Sequence, residues 1–131
     1  MVIRTIDESW QDERGGQTSF LLLGGREGSG SARLAVTWVE APAGSEQPRH
    51  AHSVSEQAYV IVAGRGKMNV ESTSFDVAPG TLILIEPGER HSIRSVGHEP
   101  LVYISATEPP FEIAPGQWST APREHKPVDD R

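Results

Sequence analysis

An all-β sandwich or barrel is the fold class this sequence predicts. Short apolar or alternating runs recur between Gly and Pro punctuation, and no stretch sustains a helical period. The chain has 131 residues, which suits one domain around a single core. Many short strands at this spacing read as a sandwich or a closed barrel.

Each element follows from local chemistry. A short helical turn is weakly signalled around residues 6–10. Residues 20–23, Phe-Leu-Leu-Leu, form a strand ended by Gly24 and Gly25, and residues 26–31 read as a hairpin loop rich in Gly and Ser. Residues 33–41 alternate and carry Val36, Trp38 and Val39, before Pro42 and Gly44 stop them. Further strands are expected at residues 58–63, 67–71, 75–77, 81–85 and 101–106. Residues 1–106 then make one barrel. From Thr107 prolines interrupt the chain, and residues 107–131 read as a tail. Phe111, Ile113 and Trp118 are expected to pin its first part to the barrel, and the polar end is expected to lack order.

Residues 59–62 and 82–85 are apolar on both faces. A sheet wetted on one side would alternate, so their outer face calls for cover. A second subunit is the preferred cover, making the expected state a homodimer. The N-terminal strand or the C-terminal tail is the intrachain alternative.

The net charge of −6 offers no basic stripe for phosphates, so a nucleic-acid partner is not expected. With no cysteine, disulfides, thiolate metal sites and a cysteine nucleophile drop out. The first residues hold acids and no long apolar run, so neither a signal peptide nor a membrane span is read there. A soluble cytoplasmic protein is the expectation.

The chemistry concentrates in two glycine-bracketed segments, residues 44–64 and 80–95. The first holds His50 and His52, and the second holds His91. Alternate residues of a strand share a face, roughly 6–7 Å apart at Cα. Two such imidazoles can converge on one ion at bond lengths near ~2.1 Å, with a third arriving from a distant strand. His98 and His125 read as solvated loop residues. Tyr59 either lines the pocket or is core, and Trp38 and Met68 are equally ambiguous. Arg49, Arg90 and Arg94 are candidates to steer an anion, but alternation against His50 and His91 turns Arg49 and Arg90 away.

The pattern Gly44-x5-His50-x-His52-x4-Gln57-x6-Gly64, then Gly80-x5-Glu86-x-Gly88-xx-His91, resembles the two motifs of the cupin superfamily over the central half of the chain. The resemblance implies a double-stranded β-helix, or jelly roll, with few or no helices. It also implies one divalent transition metal (Fe, Mn, Ni, Cu or Zn) held by His50, His52 and His91. Cupins add a glutamate from the first motif. Counting back from Gly64, that position holds Gln57; counting forward from His52 selects Glu56 instead. Register against Gly64 favours Gln57, facing inward with Tyr59 and Ile61, and Glu56 stays as the alternative ligand. Glu86 and Ser95 also depart from the usual proline and asparagine.

A glutamine ligand leaves the ion's charge less compensated than a carboxylate would. The residual field in a low-dielectric barrel then favours an anionic ligand such as an enolate, keto acid or catecholate. Glu56, if not a ligand, is a candidate general base at the rim, and Tyr59 is the other candidate catalytic side chain. The implied function is a metal-dependent enzyme on a small anionic carbonyl, carboxylate or phenolic compound. Dioxygenase-type oxidation comes first, with isomerase or lyase close behind. The alternative is a non-catalytic module that senses or sequesters a small molecule or the metal. A storage or purely structural role ranks third.

Overall fold

The structure, a computed structural model, describes residues 1–24 and 30–110. Most of the hairpin loop expected at 26–31 falls outside them. So do His125, the anchors Phe111, Ile113 and Trp118, and the polar end. After a 3-10 turn at Ile6–Glu8 come nine strands: β1 (Trp10–Arg14), β2 (Gln17–Leu23), β3 (Ala35–Ala41), β4 (Glu56–Ala63), β5 (Gly66–Val70), β6 (Thr73–Val77), β7 (Leu82–Ile85), β8 (His91–Ser95) and β9 (Leu101–Glu108). All pairings are antiparallel, in a six-stranded sheet ordered β1-β2-β3-β9-β4-β7 and a three-stranded sheet ordered β6-β5-β8. This is the all-β jelly roll that the sequence predicts. No α-helix occurs among the described residues.

Period-two alternation builds the interior. In β9, Leu101, Tyr103, Ser105 and Thr107 are buried, while the residues between them are only half-buried. Val39, Tyr59, Ile61, Ile85 and Tyr103 of the large sheet meet Met68, Val77 and Ile93 from the strands opposite. Tyr59 and Tyr103 stack with centroids 5.1 Å apart and planes 9° from parallel. Met68 is therefore core, and Trp38 sits half-buried on the other face of β3.

Two strands were not anticipated. Trp10–Arg14 is too polar to read as a strand, yet it pairs residue for residue with β2 across the turn Gly15-Gly16, where φ is 58° and 82°. Both values are left-handed, the geometry of a tight hairpin turn that glycine adopts without strain. His91–Ser95 is the other. The last strand also runs past the boundary expected at residue 106, because Thr107 pairs with both Ala35 and Gln57 and is buried.

The outer face of the large sheet is apolar along a row of register partners: Phe20, Trp38, Ile104, Val60 and Leu82. Leu82 and Leu84 are 63% and 50% exposed, and Val60 and Val62 are also open to solvent. Among the described residues nothing covers this face over β4 and β7.

Candidate metal centre

His50, His52 and His91 come together. Each offers a ring nitrogen, and these atoms all lie within 4.8 Å of one another. Ring centroids are 4.2 Å apart for His50 and His91, 5.2 Å for His50 and His52, and 5.9 Å for His52 and His91. The first motif does this without the regular strand the sequence predicts, since residues 51–55 are not in a strand. Instead His50 forms an isolated bridge to His91, in which each residue's N–H donates to the other's carbonyl, at 3.0 and 2.8 Å. The Gly88 N–H also donates to the His52 carbonyl at 2.8 Å, tying the turn of the second motif to the first.

Hydrogen bonds select the ligating tautomer. The Nδ1 of His50 lies 2.9 Å from the Pro48 carbonyl, and that of His91 lies 2.9 Å from the Glu89 carbonyl. A carbonyl only accepts, so in each ring Nδ1 carries the proton and the Nε2 lone pair is left available. The Nε2 of His91 is buried with no hydrogen-bond partner among the described residues.

Burial pushes all three imidazoles below their ordinary pKa, His91 to about 4. The backbone carbonyls act in the opposite direction on His50 and His91, and lose. Charges on neighbouring groups add to the depression: Arg14 for His50, His50 for His52, and both other imidazoles for His91, where Glu89 acts the other way. At neutral pH all three rings are uncharged and able to donate to a cation.

Gln57 points inward and is buried, whereas Glu56 is exposed on the opposite side of β4. Parity explains it: β4 ends at Ala63 before Gly64, whose φ is 77° and where a Cβ would lie 2.3 Å from the Pro100 carbonyl oxygen. The Gln57 Nε2 donates to the Ser105 hydroxyl at 2.6 Å, and its Oε1 is buried with no partner among the described residues. Two orphaned acceptors, His91 Nε2 and Gln57 Oε1, are what a bound cation would satisfy, so the donor set fits a divalent transition metal.

A cavity of about 640 Å³ opens beside the imidazoles, lined by His50, His52, Gln57 and Tyr59. Tyr59 is fully buried, and its hydroxyl donates to Gln47 Oε1 at 3.1 Å. Burial drives its pKa upward, so the phenol stays protonated. The remaining wall mixes hydroxyls, such as Ser19, Thr37 and Ser105, with apolar groups, such as Val39, Ala51 and Val54. None of Arg49, Arg90 and Arg94 lines it. Among the described residues the Arg or Lys that does is Arg14, which the sequence alone does not single out. The Gly-Gly dipeptide between a polar run and an apolar one was the available signal for its hairpin.

The arrangement defines a jelly roll in which three converging histidines could hold a metal ion beside an open cavity. A family model described as "Cupin domain" matches residues 37–107, and the chain belongs to that family. An uncharacterized protein of Methanocaldococcus jannaschii is 37% identical over 70 residues, 53% of this chain and 56% of that protein. The match thus spans a little over half the relative's length. Among solved structures, KdgF from Halomonas sp. is similar with a TM-score of 0.71 at 20% identity, over 84% of this chain and 96% of that one. An RmlC-like cupin from Shewanella frigidimarina gives a TM-score of 0.69 at 17% identity, over 83% and 91%. At such identities these likenesses describe the fold.

Proposed function

We propose that this cupin is a metal-dependent enzyme acting on a small, polar, anionic carbonyl or carboxylate compound. One divalent transition ion would be held by His50, His52, His91 and Gln57. The observation that carries the reading is the convergence of three imidazoles, with His91 Nε2 and Gln57 Oε1 both buried and unpartnered among the described residues. Such an ion supplies Lewis acidity toward a substrate oxygen, or a place for dioxygen.

The protein's own groups set the remaining chemistry. Ser105 accepts from the Gln57 amide and so leaves the carbonyl end as the available donor. Because that donor is neutral, the site keeps more positive field than a carboxylate would leave, and an anion is favoured. Tyr59, held protonated, serves as a positioning donor toward Gln47 rather than as a base. Glu56 faces away and takes no part. The wall mixes hydroxyls such as Ser19 and Thr37 with apolar groups such as Val39 and Val54, which supports a small substrate with polar and apolar parts, for dioxygenase-type oxidation first and isomerase or lyase chemistry second. We also propose that the exposed apolar face of β4 and β7 is covered by a second copy of the chain.

One observation favours a second reading, a binding module. With Glu56 outside and Tyr59 committed to Gln47, Asp12 is the carboxylate left on the wall among the described residues. The test is elemental analysis of the purified protein, followed by a turnover screen of hydroxy and keto acids with and without dioxygen. Stoichiometric metal, and turnover abolished by His50→Ala, is the expected result. Ligand binding without turnover would favour the module, and failure to take up any transition ion after reconstitution would overturn the metal site.

A further inference from the structure

The β1–β2 hairpin brings to the cavity a charge that neither motif contains. Arg14 ends β1 and lines the wall that His50 and His52 also line; among the described lining residues it is the one Arg or Lys. Its Nε donates to Asp12 Oδ2 at 3.0 Å, which orients the guanidinium, while its terminal nitrogens make no hydrogen bond among the described residues. Its charge is felt at His50.

The hairpin is also fixed against the histidine-bearing segment. The Glu46 N–H donates to the Gly15 carbonyl at 3.2 Å, and a Cβ at Gly15 would lie 1.8 Å from the Glu46 carbonyl oxygen. Backbone contact that close, just after Arg14 and shortly before His50, fixes the point of the hairpin from which the Arg14 side chain, 57% exposed, reaches the cavity wall. A planar fork with terminal donors free among the described residues, on the wall of a cavity, matches one ligand chemistry, an oxyanion.

We propose that Arg14 is the specificity-determining residue of the cavity, binding the carboxylate or phosphate group of a small substrate whose other end reaches the imidazoles. Asp12 is its positioning partner. The inference deepens the metal-centred reading above and rests on it for the substrate's second point of attachment.

The experiment is calorimetric titration of the full chain, zinc-loaded and metal-free, with three probes. Pyruvate carries a keto acid alone; 2-oxoglutarate adds a distal carboxylate, and 3-phosphonopyruvate adds a distal phosphonate. The wild type is expected to bind the two dianions at least about tenfold more tightly than pyruvate. Arg14→Gln should weaken them by about 10–100-fold while weakening pyruvate by less than about threefold, and Arg14→Lys should recover part of the loss. Wild-type affinity for the dianions should also fall more steeply with salt than affinity for pyruvate, a readout that needs no variant. A larger loss for the phosphonate assigns the anion as phosphate, and the reverse order assigns it as carboxylate. Dianion affinity unaltered in Arg14→Gln, or an equal loss for pyruvate, would overturn the proposal. If the wild type takes up no zinc, the metal reading fails, and the same comparison on metal-free protein still decides the role of Arg14.

Discussion

His50 and His91 exchange both of their backbone hydrogen bonds across one antiparallel bridge, and this bridge rather than a continuous strand sets the distance between their rings. A pair that exchanges both bonds has Cα atoms about 5.5 Å apart. Rings leaving two such positions on one side meet without any help from the rest of the sheet. The cost of packing imidazoles together is that protonation is opposed by burial and by each ring's neighbours.

That opposition makes acid stability a readout of the site. The folded-state pKa of His91 is about 4, against an ordinary 6.5, and His50 and His52 are lowered too. Between these values the unfolded chain binds protons that the folded chain does not. Stability from these groups is therefore complete above about pH 6.5 and is lost as pH falls toward about 4. Melting of metal-free protein across that window should show a steeper decline for wild type than for His91→Ala. Parallel pH profiles would refute the assignment. Metal should be released over the same range, because protons and the ion compete for the Nε2 lone pairs.

Replacing Gln57 by Glu tests the charge argument. The carboxylate would add a unit of negative charge next to the ion, with Ser105 able to turn its hydroxyl and donate. Divalent-metal affinity should rise by about tenfold or more, while affinity for an anionic probe such as pyruvate should fall. Competition with a chelator measures the first and calorimetry the second. A Gln57→Glu protein with unchanged metal affinity would mean that this side chain does not reach the ion.

Much of this site was legible because β-strand parity is strict. Register against Gly64, joined to the cupin resemblance, favours Gln57 over Glu56 as the inward residue, and in the structure Gln57 is buried with Tyr59 and Ile61 while Glu56 is exposed with Val60 and Val62. Spacing alone also singled out His50, His52 and His91. The first-motif segment was less legible, since an irregular stretch from 51 to 55 carries no periodicity to read. Arg14 was not legible at all. Its place on the wall depends on β1 joining the edge of the large sheet and on the hairpin turn meeting Glu46, contacts between segments with no common pattern. A polar strand with Asp12 and Arg14 looks like solvated surface until the partner strand is known.

Gly15 carries a mechanical prediction. Its φ of 58° disfavours any L side chain, and the Glu46 carbonyl occupies the place of a Cβ. Gly44 has a φ of 82° with nothing within 4 Å of its added Cβ, so it supplies the strain without the clash. Gly44→Ala should cost about 1–2 kcal/mol, and Gly15→Ala about 1–2 kcal/mol more, with the hairpin pushed off the first motif. Thermal melting compares the two. Equal losses would show that the turn yields easily and that Arg14 is not held in place by it.

The apolar outer face supplies the last prediction. Leu82 and Leu84, 63% and 50% exposed, flank Val60 and Val62 on the edge half of the large sheet. Isolated surface leucines are ordinary, but contiguous ones on the unpaired face of two adjacent strands favour association. The protein should therefore run as a dimer in light scattering. Leu82→Lys combined with Leu84→Lys should give a monomer that still binds metal, because both side chains point away from Gln57 and the imidazoles. Two added charges facing each other across a symmetric interface repel and must also be desolvated, which makes the effect large even for a modest contact. A wild type that stays monomeric at high concentration would return the cover to residues 111–131 of the same chain. In that case a chain ending at residue 110 should dimerise where the full one does not, and the same lysine pair should reverse it.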